Sequence, residues 1–332
     1  MEAVRIHIVG GGAIGLLLGA KLALSGAGPV IWTRTGEQCR ELREGGLELL
    51  ETDGTRLRTN AADFQWTGRP EAAAEAAGQA LDEREPVAVA LAVKQTHIDE
   101  GLAAFLRKLT GSAPERFAVF CFQNGIGHME QLSAELPGVP LFAAVTTEAA
   151  RREAESVVHH TGSGGVWIGS SRYGAKEAEE PRKMGPPPQK MFAEALVQAG
   201  FSAFLSNDIH NRVCRKLLAN AVINPLTAIF DVKNGELPGH PARLALMEAL
   251  HQETATVLSN EGLAPSPRLW DELLDVCRRT GSNVSSMLAD VRAGRPTEID
   301  AINGAIARLA VRHGTTAPLN EAVAALVRAM RR

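Results

Sequence analysis

Neither sign of charge dominates this chain of 332 residues: 35 Lys and Arg stand against 38 Asp and Glu, a formal net charge of -3. With a pI near 6.3, a general electrostatic attraction to nucleic acid or to an anionic membrane is not expected. The basic end "VRAMRR" reads as a solvated helix terminus. No apolar run in the sequence approaches the roughly 20 residues needed to cross a bilayer, so no membrane association is expected. "MEAVR" leads into a strand-like run without a charged n-region or a cleavage site, which points to a cytoplasmic protein. The four cysteines, Cys39, Cys121, Cys214 and Cys277, are widely spaced. None belongs to a C-x-x-C pair, so they read as reduced thiols and no metal site is expected. No Ser–His–Asp triad, metal-ligand cluster, internal repeat or low-complexity tract stands out. The nine histidines are scattered, and His159 and His160 read simply as strand residues.

The composition is that of an ordinary globular protein, 45% hydrophobic and 22% charged. The length allows one to three domains. Short apolar runs alternate with helical stretches through the first half: "RIHIVG" (5–10), "PVIWT" (29–33), "VAVALAV" (87–93), "FAVFCF" (117–122) and "PLFAAV" (140–145). Each has strand length and is bounded by Gly, Pro or polar turns. That alternation predicts a parallel sheet with helices on both faces. "SVVHH" and "GVWIG" (156–169), separated by "TGSG", suggest a small antiparallel addition to that sheet. Residues 66–86 are Ala- and Glu-rich and predict a surface helix, and 170–190 a charged, Pro- and Gly-rich exposed loop. From about residue 210 the pattern becomes helical: 209–230, 241–261, 265–279, 281–292, 296–313 and 318–331. The expected organisation is therefore a doubly wound α/β domain, 1–207, followed by an all-helical domain, 208–332.

"VGGGAIG" supplies Gly10-x-Gly12-x-x-Gly15 between the first strand and the apolar helix "AIGLLLGAKLALSG". The first glycine allows a tight turn, the second a close approach to pyrophosphate, and the third close helix–strand packing. Backbone N–H groups of the helix start, through Ala13 and Ile14, would meet the phosphate. A lone glycine motif is weak, but its strand–turn–helix context predicts a Rossmann-type dinucleotide site. At the end of the second strand an NAD site would carry Asp or Glu. This chain reads "IWTRT", and Arg34 can hold a 2′-phosphate by paired hydrogen bonds, which points to NADP(H). The alternative is a surface Arg34 with Glu37 as the acid. "VALAVKQTH" ends in Lys94 and "VFCFQNGIG" in Asn124. Both belong near the nicotinamide half if ligands bind outside the carboxyl ends of the strands. A solvated strand cap and a turn residue are the plainer readings.

In "KLLANAVINPLTAIF" (216–230), Lys216, Asn220 and Asn224 fall at i, i+4 and i+8. Each step of four rotates by about 40° and rises by about 6 Å, so the three lie along one side of a helix. Pro225 lacks the N–H that would reach the Ala221 carbonyl, and a kink is expected there. On spacing alone, a snorkelled or ion-paired Lys216 and helix-bridging asparagines account for the line at least as well as a site does. "NVSSMLADVRAGRPTEID" holds Ser285, Ser286, Asp290 and Glu298 between two helices, where Thr297 could cap a helix and Glu298 could be a first-turn dipole partner.

Taken together, these segments resemble the ketopantoate reductase (2-dehydropantoate 2-reductase) family over nearly the whole chain. The resemblance rests on "GGGAIG", Arg34, "AVKQ", "QNGIG", "TTEAARRE", and above all "RKLLANAVINPLTAIFDVKNGEL" and "SSMLADVRAGRPTEIDAINGAI". It implies a Rossmann domain joined to a helical domain, with the site in the cleft between them. The implied reaction is NADPH-dependent reduction of ketopantoate to (R)-pantoate on the way to pantothenate and coenzyme A. The resemblance makes Gly10, Gly12 and Gly15 the pyrophosphate loop, Arg34 the 2′-phosphate contact, and Lys94 and Asn124 cofactor-side residues. Lys216 matches the catalytic lysine and Glu298 the acidic residue of the site. Asn220, Asn224, Asn234 and Ser286 match substrate-binding positions. A homodimer through the helical domain is compatible with it. The competing readings are a reductase of another 2-oxo acid, as in opine-type dehydrogenases, and a non-catalytic NADPH sensor.

Overall fold

The computed structural model describes residues 4–68, 86–111, 113–170 and 187–330. The chain divides into two compact units. One comprises the chain up to Gln123 with His128–Ile209, and the other comprises Asn124–Gly127 with the chain from His210 onward.

The first unit runs β1 (Arg5–Val9), α1 (Ala13–Leu24), β2 (Val30–Thr33), α2 (Gly36–Gly45), β3 (Leu47–Leu50), β4 (Arg56–Thr59), β5 (Asp63–Trp66), β6 (Val87–Leu91), α3 (Glu100–Thr110) and β7 (Phe117–Cys121). It continues with α4 (His128–Glu135), β8 (Leu141–Thr146), β9 (Ala149–Ala154), β10 (Val157–Gly162), β11 (Val166–Ser170), α5 (Pro188–Gln198) and β12 (Ala203–Leu205). Eight strands form one sheet in the order β12-β11-β8-β7-β6-β1-β2-β5. β1 pairs in parallel with both β2 and β6, so the strand order reverses beside β1. In an open parallel sheet that reversal marks where a ligand crevice forms, outside the carboxyl ends of the strands. The central strands "VAVAL" and "FAVFC" are buried along their whole length, as a sheet covered on both faces requires.

A second sheet, β4-β3-β10-β9, explains the composition of α1. Strands of both sheets pack against this helix, and eight of its twelve residues are buried. A helix enclosed on all sides has no solvated face and is apolar all round.

The strand-like runs of the sequence appear as β1, β2, β6, β7 and β8. The small antiparallel addition expected at 156–169 is present in part. β11 does join the large sheet, antiparallel to β8, but β10 leaves for the second sheet, between β3 and β9. "TGSG" therefore separates strands of two different sheets. The predicted helix at 66–86 and loop at 170–190 lie almost wholly outside the described residues. At their described margins, Trp66 closes β5 and Pro188 opens α5.

The second unit contains α6 (Ile209–Phe230), α7 (Pro241–Ser259), α8 (Leu269–Arg279), α9 (Ser286–Arg292), α10 (Asn303–Arg312) and α11 (Pro318–Ala329), with a 3₁₀ segment at Asn234–Gly239. The three helices expected at 265–279, 281–292 and 296–313 start several residues late, because Pro, Gly and Ser-rich stretches hold their first turns open. The expectation about apolar runs also needs correction: α6 is long and apolar enough, by length and composition, to cross a membrane. Its apolar residues are nonetheless core. Leu217, Leu218, Ala221 and Ala228 join one cluster, and Val222, Ile223 and Leu226 join another.

Candidate active site

The glycine turn after β1 has the form that its residues dictate. Gly10 has φ +123°, a conformation closed to ordinary L-residues. A Cβ there would stand 2.9 Å from the Ala92 carbonyl carbon, and one on Gly15 would stand 1.9 Å from the Gly10 oxygen. Those two glycines are required by the protein's own packing. Gly12 is different: it is exposed, and its nearest neighbour would be the Ala92 oxygen at 3.9 Å. Its missing side chain leaves the backbone open to a ligand. The first turn of α1 contains Ala13 and Ile14, has no acidic residue and no side-chain cap, and its N–H groups lack intrahelical partners. This arrangement fits a pyrophosphate. Gln38, which nothing in the sequence singles out, fixes the turn by donating from Nε2 to the Gly11 carbonyl at 2.8 Å.

Thr33, the last residue of β2, is buried, and Arg34 just beyond it is exposed. One guanidinium nitrogen of Arg34 lies 2.8 Å from Nε2 of His97, and its carbonyl accepts from Trp66 Nε1 at 3.0 Å. Thr35 caps α2, accepting from the Gln38 N–H at 3.3 Å. Glu37, the alternative acid, sits exposed in the first turn of α2, a favourable place for a carboxylate without any ligand. Lys94 is partly buried and precedes a 3₁₀ turn, Gln95–His97. Gln123 donates from Nε2 to the carbonyls of Leu91 and Val93, at 2.9 and 3.0 Å. It thus binds together the ends of β6 and β7, just where Lys94 and Asn124 leave the sheet.

Asn124 falls in the second unit, and its Nδ2 donates to Oε2 of Glu298 at 3.2 Å. Glu298 is buried, 8% exposed, on the segment between α9 and α10. It does not lie in the first turn of a helix, because α10 begins only at Asn303. Its backbone carbonyl accepts from the N–H groups of Ala301 and Ile302. On α6, Lys216 and Asn220 are partly buried and Asn224 is buried. Burial lowers the Lys216 ammonium from 10.5 to about 8, while the charge of Glu298 pulls in the opposite direction. Lys216 and Glu298 therefore sense one another.

Pro225 lies inside an uninterrupted α6. The Ala221 carbonyl that it deprives of a partner is taken by Nδ2 of Asn303 at 2.8 Å, a compensation invisible in the linear sequence. Asn303 Nδ2 also donates to Oδ1 of Asn320 at 3.0 Å. Asn320 in turn donates from Nδ2 to Glu253 at 2.9 Å. One turn further along α6, Thr227 Oγ1 lies 2.7 Å from Ser285 Oγ. Ser285, not Ser286, is the N-cap of α9, accepting from Leu288 N–H at 3.1 Å. Ser286 begins the helix and is exposed. These bonds join α6 to the start of α9 and to the start of α10, the helix that follows the Glu298 segment. Asn234 has its own supports: its Nδ2 donates to Thr280 Oγ1 at 2.9 Å and its N–H to the Asn283 carbonyl at 3.1 Å. Its side-chain oxygen is buried without a hydrogen-bond partner among the described residues.

A glycine cradle on a doubly wound sheet, with a lysine that senses the charge of a buried carboxylate in a helical unit, defines the class: an oxidoreductase of Rossmann-plus-helical architecture. More particularly, the chain belongs to the ketopantoate reductase family. The family pattern "Ketopantoate reductase PanE/ApbA" matches residues 6–173, and "Ketopantoate reductase PanE/ApbA C terminal" matches 208–331. A 2-dehydropantoate 2-reductase of Archaeoglobus fulgidus is 32% identical over 99% of this chain and 98% of its own length. The crystal structure of a probable 2-dehydropantoate 2-reductase from Bacillus subtilis superposes with a TM-score of 0.75 at 28% identity, covering 98% of this chain and all of that one. A D-mandelate dehydrogenase solved with NADH and anilino(oxo)acetate shares the fold, with a TM-score of 0.80 at 24% identity over 99% of this chain and 98% of that one.

Proposed function

We propose that this protein reduces 2-dehydropantoate to (R)-pantoate with NADPH, using Lys216 as the proton donor, as a cytoplasmic step toward pantothenate and coenzyme A. The observation that carries the mechanism is Lys216 with its pKa lowered to about 8 and under the influence of buried Glu298. Family membership supports the substrate, and Arg34 at the end of β2 supports NADPH over NADH.

The open Gly12 turn and the first N–H groups of α1 would hold the pyrophosphate, Arg34 the 2′-phosphate, and Lys94 and Asn124 the nicotinamide half. When bound, the reduced nicotinamide supplies a hydride for the C2 carbonyl carbon. Lys216 as the ammonium donates a hydrogen bond to the carbonyl oxygen, stabilises the developing alkoxide and delivers the proton. An acid with a pKa near working pH transfers its proton with little penalty. Glu298 keeps the lysine charged and can accept from the substrate's 4-hydroxyl. Asn220, Asn224 and Asn234 orient carboxylate, carbonyl and hydroxyl without adding charge, and Ser286 donates to the carboxylate.

The test is NADPH oxidation with ketopantoate and with a panel of other 2-oxo acids. Ketopantoate should give the highest kcat/KM. A different 2-oxo acid at the top would change the substrate, and tight NADPH binding without turnover of any would leave a sensor.

A further inference from the structure

We propose that His97 is a positioning residue for Arg34: it holds the guanidinium in the orientation that receives a 2′-phosphate and so sets the preference for NADPH over NADH. The proposal rests on the reading of Arg34 as the 2′-phosphate contact.

Arg34 is exposed, and an arginine left free in solvent must give up roughly 1.5–2 kcal/mol of rotamer entropy when a ligand fixes it. Here one end of the side chain is already engaged, with a guanidinium nitrogen 2.8 Å from His97 Nε2. Arginine has only donors. His97 Nε2 must therefore be the acceptor, and the imidazole is the neutral tautomer with its proton on Nδ1. Among the described residues one arm of the fork is engaged, and the other N–H donors are left for paired bonds to phosphate oxygens.

The partner is itself held. His97 closes the 3₁₀ turn Gln95–His97, and its N–H donates to the Lys94 carbonyl at 2.9 Å. The turn is tied to α4 by Gln95 Nε2, 2.8 Å from His128 Nδ1. Burial lowers the His128 pKa to about 4, so its ring stays neutral and can accept that bond throughout the physiological range. Asp99, two residues after His97, caps α3 by accepting from Leu102 N–H at 2.9 Å. On the other side, Trp66 Nε1 fixes the Arg34 carbonyl at 3.0 Å. Both the root and the tip of Arg34 are thus constrained before any nucleotide arrives, which is how preorganisation improves affinity without new ligand contacts.

The experiment is calorimetric titration of the full chain with adenosine 2′,5′-bisphosphate and with 5′-AMP, which differ only in the 2′-phosphate. His97→Leu should weaken the bisphosphate about fivefold, the loss expected for one hydrogen bond, and leave 5′-AMP unchanged. His97→Gln, whose amide oxygen can accept the same N–H, should keep the wild-type ratio of affinities. An unchanged ratio in His97→Leu, or equal weakening of both nucleotides, overturns the role of His97. Arg34→Ala separates the two levels. If it leaves the ratio unchanged, the reading of Arg34 itself fails. If it abolishes the preference while His97→Leu does not, only the His97 proposal falls.

Discussion

At Lys216 two opposing forces set the proton affinity: loss of hydration favours the neutral amine, and the Glu298 carboxylate favours the ammonium. Dehydration wins, and the pKa stands at about 8 instead of 10.5. A general acid must be protonated at the start of the step, so kcat/KM for reduction should be level below about pH 8 and fall tenfold per unit above it. A pH profile that stays flat to pH 10 would exclude Lys216 as the donor. Lys216→Ala should lower kcat by at least about 100-fold, the usual loss for a positioned acid–base group, and turnover near the wild-type rate would remove it from the mechanism. Arg34→Ala should raise the Kd for NADPH and leave that for NADH little changed; equal losses for both would argue against the 2′-phosphate role. The line Lys216–Asn220–Asn224 is readable in the sequence because a four-residue period needs no tertiary information. The Asn124–Glu298 bond and the partner of Arg34 are not readable, since they join residues 174 and 63 positions apart.

Among the elements, α6 shows most plainly what local pattern can and cannot reveal. Its bounds follow from its apolar periodicity, and Pro225 announces an orphaned carbonyl at Ala221. That Asn303 supplies the missing donor follows only from packing. The second sheet was likewise hidden. "AARREA" is made of good helix formers, yet it is strand β9, because pairing with β10 overrides local preference. β4, "RLRT", is mostly exposed, and so it has no apolar alternation by which a strand is recognised. The Pro225–Asn303 pairing makes a double-variant prediction. Asn303→Leu strips the donor from a buried carbonyl and should lower the stability of the second unit by at least about 2 kcal/mol, read as a shift in urea midpoint. Pro225→Ala restores an N–H one helical turn from Ala221. The double variant should therefore recover about half of that loss, a coupling expected only for groups sharing one partner. Strict additivity of the two changes would mean that Asn303 acts through something other than the orphaned carbonyl.

On the scale of the molecule, a net charge of -3 says nothing about where charge is buried, and the first unit contains a cluster that no charge count reveals. His160, 3% exposed, lies between two carboxylates, with Nδ1 2.8 Å from Glu51 and Nε2 2.8 Å from Glu148. Lys21 reaches the other oxygen of Glu51 at 2.8 Å and stands 5.5 Å over the Phe201 ring. The cluster ties α1, enclosed by the two sheets, to the ends of β3, β8 and β10. With His160 doubly protonated, two cations balance two carboxylates. The hydrogen bond to Glu148 raises the His160 pKa above 6.5, and Glu51 adds to it against the opposing effects of burial and Lys21. Burial would raise the Glu51 pKa, but hydrogen bonds from Lys21 and His160 outweigh it and leave it below 4.5. The signs then define a window. The histidine's contribution is complete below pH 6.5 and is lost as pH rises through its raised folded pKa. The Glu51 contribution is complete above pH 4.5 and is lost as pH falls through its lowered one. Stability of the first unit should therefore decline as pH rises above 6.5, through the raised folded pKa of His160. Removing one member of a buried ion cluster costs roughly 3 kcal/mol, so His160→Gln should be destabilised by about that amount at pH 6. The deficit should shrink as pH rises through the raised folded pKa, above which the wild-type ring is itself neutral. Urea unfolding of both proteins in a pH series upward from 6 measures the difference directly, and a deficit that stays constant across the series would show that His160 stabilises the unit by packing and not by charge.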